Sequence, residues 1–493
     1  MFKENNLVYP VCMFGCRHLA QVGTCLLKVQ NNYFQIAMAS LLVPTTSVRG
    51  QDKVNYDAFK ITMTKVPCLV LPKKQVDINE YIKKLKEYFL KLPQFKPVQS
   101  DEHENSTIVH LNPDKIANIT DKLKEEVNWN TFYNEIDVDV DYENWPRDEV
   151  LRAILPLHID VPTSYSVVGH ILHFNLREEQ LPYKNVIGQV FLDKTPNAKT
   201  IVNKLDAIDN TYRNFEMEIL AGDENTCTTV KESKCLFKFD FSKVYWNPRL
   251  GNEHASIIQL LKPNDALYDV FAGVGPFSVP AAKKKVYVLA NDLNPDSYKW
   301  LIYNAQKNKV MKHFKAFNKD GRDFLKNDVK QDLIQRRSSK ALGSEHIVMN
   351  LPGLAVEFLD IFISDWLNLD EKKQVCTNPP LVHVYCFIKA AKTEDFKSLA
   401  KQLVESKLGS ILTEESISEI DHVRNVAPNK EMMRVSFYLT KDILLEGSLG
   451  EPARKKIKTH CSNVNDVNFI GENGQKKGQY EGEESVQSIA KTS

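Results

Sequence analysis

The stretch Asp269-Val270-Phe271-Ala272-Gly273-Val274-Gly275-Pro276-Phe277 decides the fold. The apolar residues 266–268 before it predict a buried strand, and residues 278–285 after it predict the start of a helix. This order is typical of the opening of a nucleotide-binding βα unit, because glycines permit a tight turn and a close approach of the backbone to a ligand. The spacing is not G-x-G-x-x-G and no Lys-Ser/Thr pair follows, which disfavours a dinucleotide or phosphate loop.

The next predicted strand, residues 286–290, is followed by Asn291 and by Asp292, which stands 23 positions beyond Asp269. An acidic residue at this place can accept hydrogen bonds from the ribose hydroxyls of an adenosine. The layout therefore favours S-adenosyl-L-methionine as the ligand. The alternative at this point is a tight βα turn in an unrelated α/β protein.

Four consecutive predicted strands are closed by polar residues, namely Asp269, Asp292, Asp320 and Asn350. Ligands of open α/β sheets bind at the carboxyl ends of the strands, so the set predicts one binding edge. Taken singly, each acid could instead cap a helix or form a surface salt bridge. The alternation of strands and helices over residues 250–440 predicts a doubly wound, mainly parallel sheet of the Rossmann-like kind.

Each predicted cofactor-binding residue has an expected place along the ligand. Gly273 and Gly275 would approach the methionine part together with Asp269. Leu293 would pack on the adenine, and Gly321 would border the base beside Asp320, whose carboxylate can accept from an exocyclic amine. Phe271, within the turn, is counted in the same set.

The composition limits the classes of protein to which the chain can belong. The chain has 493 residues, 43% hydrophobic and 26% charged, with a formal net charge of +1. These values are ordinary for a globular protein and argue against a globally basic coat for nucleic acid. No apolar run approaches the length of a membrane span, so none is expected. The nine cysteines contain no C-x-x-C and no zinc-like spacing, so free thiols and no metal site are expected.

Five regions are predicted. An acid-poor, weakly basic extension at residues 1–50 resembles a mitochondrial presequence, although part of it could equally belong to a folded domain. An α/β domain at 51–160, a middle α+β domain at 161–248 and the Rossmann-like domain at 249–445 follow. Residues 446–493 are polar and predict a disordered tail. The tail contains the cluster Arg454-Lys455-Lys456-Ile457-Lys458, which is either a nuclear localisation signal or a solvated run of charges. Together with the presequence-like extension, this gives mitochondrial matrix, cytoplasm and nucleus as the expected locations.

Several elements are predicted from periodicity. Helices are expected over residues 78–92 and 116–127, a strand over 166–176, and a charged insertion over 326–345.

Two Asn-Pro-type motifs compete for the target site. Asn378-Pro379-Pro380 resembles the motif of amino-group methyltransferases, but the charged residues 370–374 before it predict no buried strand. Asn350-Leu351-Pro352 follows a predicted strand, so we place the target-site motif there and interpret Asn378 as a loop residue. No cysteine accompanies the motif, so the covalent thiol route to a pyrimidine carbon lacks its nucleophile and a nitrogen target is favoured.

Seven ordered segments between about 165 and 440 resemble the tRNA (guanine-37-N1)-methyltransferase family of eukaryotes and archaea. They are Tyr212-Arg213-Asn214-Phe215-Glu216, Val244-Tyr245-Trp246-Asn247-Pro248-Arg249-Leu250, Glu253-His254, the opening stretch, Asn291-Asp292-Leu293-Asn294-Pro295, Met349-Asn350-Leu351-Pro352 and Arg424-Asn425-Val426-Ala427-Pro428-Asn429-Lys430-Glu431.

The resemblance implies roles that the pattern alone does not reach. Glu253 would be the general base that takes the N1 proton of guanine, and Arg213 would stabilise the charge that develops on O6. His254 would lie against the cofactor and Asn350 against the target base. On pattern alone, Glu253 would be a surface glutamate near a helix start and Arg213 an arginine on a helix face.

The implied activity is methylation of N1 of guanosine 37 in the anticodon loop of tRNA, which supports maintenance of the reading frame. The base would be flipped into the pocket, and lysines and arginines would contact phosphates. We expect a monomer with tRNA as its partner. The alternatives are a related transferase of wybutosine synthesis that uses the same cofactor, and a non-catalytic tRNA-binding scaffold.

Overall fold

The computed structural model describes residues 44, 46–208, 215–364, 366–389 and 394–445. Residues 1–43 of the predicted presequence, Arg213 and the predicted tail lie outside the described residues. The described chain separates into two compact units, one up to Val230 together with Asp240–Ser242, the other comprising Lys231–Phe239 and the residues from Lys243 on. No helix in these described ranges has the length and apolar character that crossing a bilayer requires.

The first unit contains two four-stranded sheets. The first sheet has the order β2-β3-β1-β4 and is antiparallel, and the second has the order β5-β6-β7-β8, with β6 and β7 parallel. The strands are β1 (Ile61–Pro72), β2 (Val98–Asp101), β3 (Ser106–His110), β4 (Tyr133–Val140), β5 (Tyr165–Val168), β6 (Ile171–Phe174), β7 (Thr200–Ile208) and β8 (Phe215–Gly222). The helices are α1 (Ile78–Leu85), α2 (Pro113–Ile116), α3 (Asp121–Glu126), α4 (Trp129–Phe132), α5 (Arg147–Ile154) and α6 (Lys184–Lys194). The predicted boundary at 160/161 lies inside this unit, and the five-part division stays a prediction.

Three predicted elements of this unit are interrupted in the structure. The helix expected over 78–92 ends at Leu85, because Phe89 leaves it to form a bridge with Leu111. The helix expected over 116–127 is two helices, and the Thr120 hydroxyl caps the second by accepting from the Leu123 amide at 3.3 Å. The strand expected over 166–176 is a hairpin that turns at Gly169, whose φ is +62°.

The second unit contains a seven-stranded sheet of order β13-β12-β11-β14-β15-β17-β16. The five strands β13 to β15 of this order are parallel, whereas β17 is antiparallel to both β15 and β16. The strands are β11 (Ala266–Asp269), β12 (Tyr287–Asn291), β13 (Phe314–Phe317), β14 (Glu345–Met349), β15 (Leu381–Lys389), β16 (Ile417–Ala427) and β17 (Lys430–Tyr438). A separate pair consists of β9 (Cys227–Glu232) and β10 (Cys235–Asp240). The doubly wound, mainly parallel sheet is confirmed; the sequence prediction had missed β16.

Helices alternate with these strands and cover the sheet. They are α7 (Gly251–Leu260), α8 (Ser278–Lys283), α9 (Pro295–Lys307), α10 (Gly321–Asp323), α11 (Lys330–Ser338), α12 (Leu369–Val375), α13 (Phe396–Leu408) and α14 (Lys441–Leu445). A π-helical segment, Phe324–Val329, joins α10 to α11, and a 3-10 helix, Ala355–Ile363, follows β14. Apolar side chains of the strands pack against those of the helices in one core, for example Tyr268, Ile347, Val384, Val435, Leu359 and Val404.

The charged insertion expected over 326–345 is mostly helical. Its charges are used inside the unit, because Arg336 and Arg337 both bond to Glu345 at the start of β14, at 3.0 and 2.6 Å. The Glu345 side chain is fully buried, and two guanidinium partners compensate the cost of burying its charge. This cluster anchors the insertion beside the sheet edge opposite to the one predicted to bind ligands.

The strand register brings the predicted site residues to one edge. Asp269 at the end of β11 pairs with Ala290 on β12 and with Val348 on β14. Asp292 and Asn350 therefore each lie two residues beyond the direct partners of Asp269. Because neighbouring strands are about 5 Å apart, the three side chains are close enough to bind one ligand.

Candidate active site

Asp269 is fully buried at the end of the central strand β11. Its Oδ2 accepts from the Ser278 hydroxyl, and its Oδ1 is buried with no hydrogen-bond partner in the described part of the chain. Burial raises the pKa of the Asp269 carboxyl to about 7; the Ser278 hydrogen bond opposes this shift and the nearby charge of Asp292 adds to it. A buried acceptor without a donor is costly, which points to a ligand that supplies one.

The two glycines of the turn are favoured at their positions for different physical reasons. Both have positive φ, +55° at Gly273 and +98° at Gly275. A Cβ on Gly273 would meet nothing within 4 Å, so its backbone borders open space. A Cβ on Gly275 would lie 2.8 Å from side-chain atoms of both Val279 and Leu301. Gly275 therefore permits the turn to pack closely against the helices that carry Val279 and Leu301, whereas Gly273 faces the open space in which a ligand is predicted to bind.

Asp292 holds the glycine turn through backbone hydrogen bonds. Its Oδ2 accepts from the Gly273 amide at 2.8 Å, and its Oδ1 accepts from the Asn294 amide at 2.9 Å. Burial raises the pKa of Asp292 to about 6, although the hydrogen bonds from Gly273, Asn294 and Ser297 oppose the shift. The predicted ribose residue is thus placed beside the turn, and it shapes the turn as well.

We expect the ligand-free protein to lose stability as Asp269 ionises. Its folded pKa lies above the unfolded value of 3.8, so the folded state binds more protons and stability falls between about pH 4 and pH 7. Asp269→Asn removes this ionisation, and its melting temperature should exceed that of the wild type by a few degrees at pH 8 but not at pH 4.5. Thermal melts at both pH values, with Asp296→Asn as control, measure this. An equal melting temperature at pH 8 would show that the buried carboxyl carries no such cost.

The predicted adenine-side residues lie at the ends of β12 and β13. Asp320 is exposed and its Oδ1 accepts from the Arg322 amide at 2.8 Å, so it caps the short helix α10. A Cβ on Gly321 would stand 3.0 Å from the Phe271 ring, so this position accepts only glycine without displacement of that ring. Leu293 is 48% exposed and is free to cover a planar ligand.

Three asparagines to which the sequence analysis assigned no role hold this edge together. The Asn291 side chain donates to Val270 O at 3.2 Å and to Lys319 O at 3.0 Å, and thereby links three strand ends. Asn304 donates to Val274 O at 3.1 Å, and Asn318 donates to Asp292 O at 2.7 Å. For Asn291 and Asn304, which are buried, the available signal was a polar residue on the buried side of a strand or helix, whereas Asn318 is exposed in a loop and gave no such signal.

The two Asn-Pro-type motifs have different environments. Asn350 directly follows β14, and its Oδ1 is buried without a hydrogen-bond partner among the described residues. Asn378 follows helix α12 in a bend, and its backbone oxygen and side chain contact Arg337 and Glu345. The interpretation of Asn378 as a loop residue is confirmed. The open acceptor of Asn350 is available to a ligand.

Glu253 lies in the first turn of helix α7, where the helix dipole favours a negative charge. Its Oε1 accepts from the Tyr385 hydroxyl at 2.6 Å and from Nη1 of Arg434 at 2.8 Å. The side chain is 10% exposed. The sequence prediction missed both donors, although Arg434 is the one charged residue within the apolar run 432–437, and a charge there indicates a buried partner.

His254 is buried beside Glu253. Its Nδ1 lies 2.7 Å from Oε1 of Glu232, and its ring packs edge-on against Phe277 at 4.7 Å between centroids. Phe277 ends the glycine turn, and its ring also contacts Tyr385 at 6.2 Å. Turn, His254 and the donors of Glu253 therefore form one contiguous site within the second unit.

The residues present fit S-adenosyl-L-methionine. Two buried acceptors, Asp269 Oδ1 and Asn350 Oδ1, lack donors among the residues that the structure describes, and Gly273 borders open space at the same edge. The methionine ammonium and the adenosine hydroxyls are donors that such acceptors require. Across the described ranges, His, Cys, Asp and Glu form no group of three or more that could hold a metal ion.

Two protein-family models and several known proteins are similar in sequence to this chain. A model of the TRM5/TYW2 methyltransferase domain matches residues 228–369, and one of the TYW2 N-terminal domain matches residues 148–226. A tRNA (guanine(37)-N(1))-methyltransferase from Drosophila melanogaster is 45% identical over 432 residues, which are 86% of this chain and 93% of the relative. The Homo sapiens enzyme of the same name is 43% identical over 424 residues, 84% of this chain and 81% of its own.

Solved structures resemble the fold. The complex of aTrm5 and tRNALeu gives a TM-score of 0.54 at 22% identity and covers 75% of this chain and 99% of its own. Trm5b from Pyrococcus abyssi gives 0.52 at 22% identity, with 76% and 99% covered. Fold and site together define a Rossmann-like methyltransferase that uses S-adenosyl-L-methionine. The chain belongs to the tRNA (guanine(37)-N(1))-methyltransferase family.

Proposed function

We infer that this protein transfers the methyl group of S-adenosyl-L-methionine to N1 of guanosine 37 in tRNA. The observation that carries the inference is the Glu253 carboxylate, held at one oxygen by Tyr385 and Arg434 beside the turn that ends in Phe277. The relatives that share 43–45% of their residues with this chain carry the name of that activity.

The chemistry requires the protein to remove one proton. Guanine N1 is a poor nucleophile while it is protonated, and Glu253 accepts that proton as the N–C bond forms. When bound, S-adenosyl-L-methionine supplies a methyl group on a sulfonium sulfur, which keeps the electron pair of the broken bond. Arg213 stabilises the charge that grows on O6 as the proton leaves, the role that the family resemblance implies for it.

Other residues would bind and orient the cofactor. Asp269 and Asn350 would offer their buried acceptors to the cofactor, Asp292 would hold its ribose and Leu293 would cover its adenine. Alignment of the reacting atoms by such contacts supplies much of the acceleration in a transfer between two bound molecules. The target base leaves its stack to enter the pocket, and the protein acts as a monomer on tRNA with guanosine 37.

A dual-label assay tests the inferred function. The protein is incubated with a tRNA transcript bearing guanosine 37 and with S-adenosyl-L-methionine labelled either in the methyl group or in the carboxyl group. We expect only the methyl label to enter the tRNA, because methyl transfer to N1 breaks the bond between sulfur and the methyl carbon and leaves the carboxyl label on the S-adenosylhomocysteine product. A transcript with adenosine 37 lacks both the N1 proton that Glu253 would accept and the O6 that Arg213 would stabilise; it is the matched control and should accept none.

The alternatives give different outcomes in the same assay. Incorporation of the carboxyl label would indicate transfer of the aminocarboxypropyl group, as in wybutosine synthesis. Incorporation of neither label, with tRNA still bound, would indicate a scaffold without catalytic activity.

A further inference from the structure

Two buried side chains converge on a single oxygen of Glu253. The Tyr385 hydroxyl and the Arg434 guanidinium both donate to Oε1, at 2.6 and 2.8 Å. Among the residues that the structure describes, Oε2 has neither a hydrogen-bond donor nor an ion-pair partner. One oxygen is thus immobilised, and the other remains available to accept a proton.

The sheet brings the two donors together. Tyr385 on β15 and Arg434 on β17 are directly opposite each other in the antiparallel pairing, so their side chains lie on the same face. Their exposures are 0% and 1%. The Tyr385 ring also packs against Phe277 of the glycine turn. The geometry of the base is therefore set by strands, which hold a side chain more firmly than a loop does.

Both donors keep their protons at working pH. Burial, together with the charge and hydrogen bond of Glu253, raises the pKa of Tyr385 well above its usual value. Burial opposes the charge of Arg434, but the carboxylates around it and Tyr385 raise its pKa. Each group therefore remains a hydrogen-bond donor to Oε1 of Glu253.

The charge of Arg434 is shared with two carboxylates of β16. Nη2 of Arg434 contacts Glu419 at 2.6 Å and Asp421 at 2.9 Å, and both of these side chains are nearly half exposed. His383 on β15 also faces Arg434, and Ser256 Oγ lies 3.4 Å from Nη1. One cation thus serves three carboxylates, so its effect on Glu253 depends on Glu419 and Asp421.

We propose that Tyr385 and Arg434 are positioning residues that hold Oε1 of Glu253 and present Oε2 to the N1 proton of guanine, while Glu419 and Asp421 compete with Glu253 for the charge of Arg434. The proposal rests on the proposed function, in which Glu253 is the general base. An ion pair that served stability alone would leave the rate and its pH dependence unchanged.

Tyr385→Phe tests the tyrosine, because the ring that packs against Phe277 is retained while the hydroxyl is lost. Single-turnover rates are measured against pH with saturating tRNA and S-adenosyl-L-methionine. In the plot of rate against pH, we expect the plateau at high pH to fall about tenfold. The acid limb, where the rate declines at low pH, should move up by about one pH unit. This is the effect of one hydrogen bond to a charged group. The dissociation constants of tRNA and S-adenosyl-L-methionine should stay within twofold.

Glu419→Gln tests whether the charge of Arg434 is shared, and its expected shift of the pH–rate profile is opposite in sign to that of Tyr385→Phe. Removal of a competing carboxylate leaves more of the Arg434 charge for Glu253, so the acid limb should move to lower pH. This residue is nearly half exposed, so the variant should fold normally. Lys401→Met, which changes a charge on helix α13, is the control and should leave the limb in place.

The outcomes separate the proposal from the function on which it rests. If the Glu253→Gln rate is lowered about 10²- to 10⁴-fold, an unchanged plateau and acid limb in Tyr385→Phe, or an upward shift in Glu419→Gln, would overturn the positioning role alone. An active Glu253→Gln would instead remove Glu253 as the base, and with it the basis of the proposal.

Discussion

Replacement of Glu253 by glutamine is expected to lower the single-turnover rate of methyl transfer by about 10²- to 10⁴-fold. The amide has nearly the same shape and still offers an oxygen to Tyr385, but it cannot take a proton from guanine N1. The residual rate should increase with pH, because guanine N1 then loses its proton to water without help from the enzyme. Affinity for S-adenosyl-L-methionine should stay within twofold, since Glu253 lies on helix α7 and not among the predicted cofactor-binding residues.

The measurement is rapid-quench methyl transfer to a guanosine-37 transcript, with cofactor affinity by calorimetry. Glu415→Gln makes the same chemical change at an exposed position and should retain the wild-type rate. A rate within threefold of the wild type for Glu253→Gln would exclude Glu253 as the base. A rate lost together with cofactor binding would indicate a disturbed fold instead.

Asp292→Ala is expected to weaken S-adenosyl-L-methionine binding by about 10- to 100-fold. A hydrogen bond to a charged group contributes about 1.5–3 kcal/mol, and about 1.4 kcal/mol corresponds to a factor of ten in the dissociation constant. The loss has two sources, because Asp292 would hold the ribose and its Oδ2 also accepts from the Gly273 amide. The maximal rate at saturating cofactor should fall far less than the affinity.

Calorimetric titration of the wild type, Asp292→Ala and Asp296→Ala measures this effect. Asp296 lies four residues further on, in the first turn of helix α9, so it controls for a lost negative charge near the same site. Equal dissociation constants for the wild type and Asp292→Ala would contradict the ribose role. Equal weakening in Asp296→Ala would assign the effect to net charge.

The gathering of the predicted site residues at one sheet edge could be predicted from the chain because its determinants are local. Asp269, Asp292 and Asn350 each follow an apolar strand, and a parallel sheet must bring such positions to one edge. The register, in which Asp292 and Asn350 each lie two residues beyond a partner of Asp269, confirms that placement. Helix boundaries were less reliable, since the bridge from Phe89 to Leu111 competes with local helix propensity.

By itself, the sequence determined the class of fold and the cofactor turn and, through a family resemblance, pointed to Glu253 as the proposed base. Only the tertiary structure decided what surrounds that base. Glu253 and Arg434 are 181 positions apart, and Tyr385 is 132 positions from Glu253, so no local pattern connects them. Their contact depends on the antiparallel pairing of β17 with β15, a long-range interaction whose free energy comes from burial in the sheet.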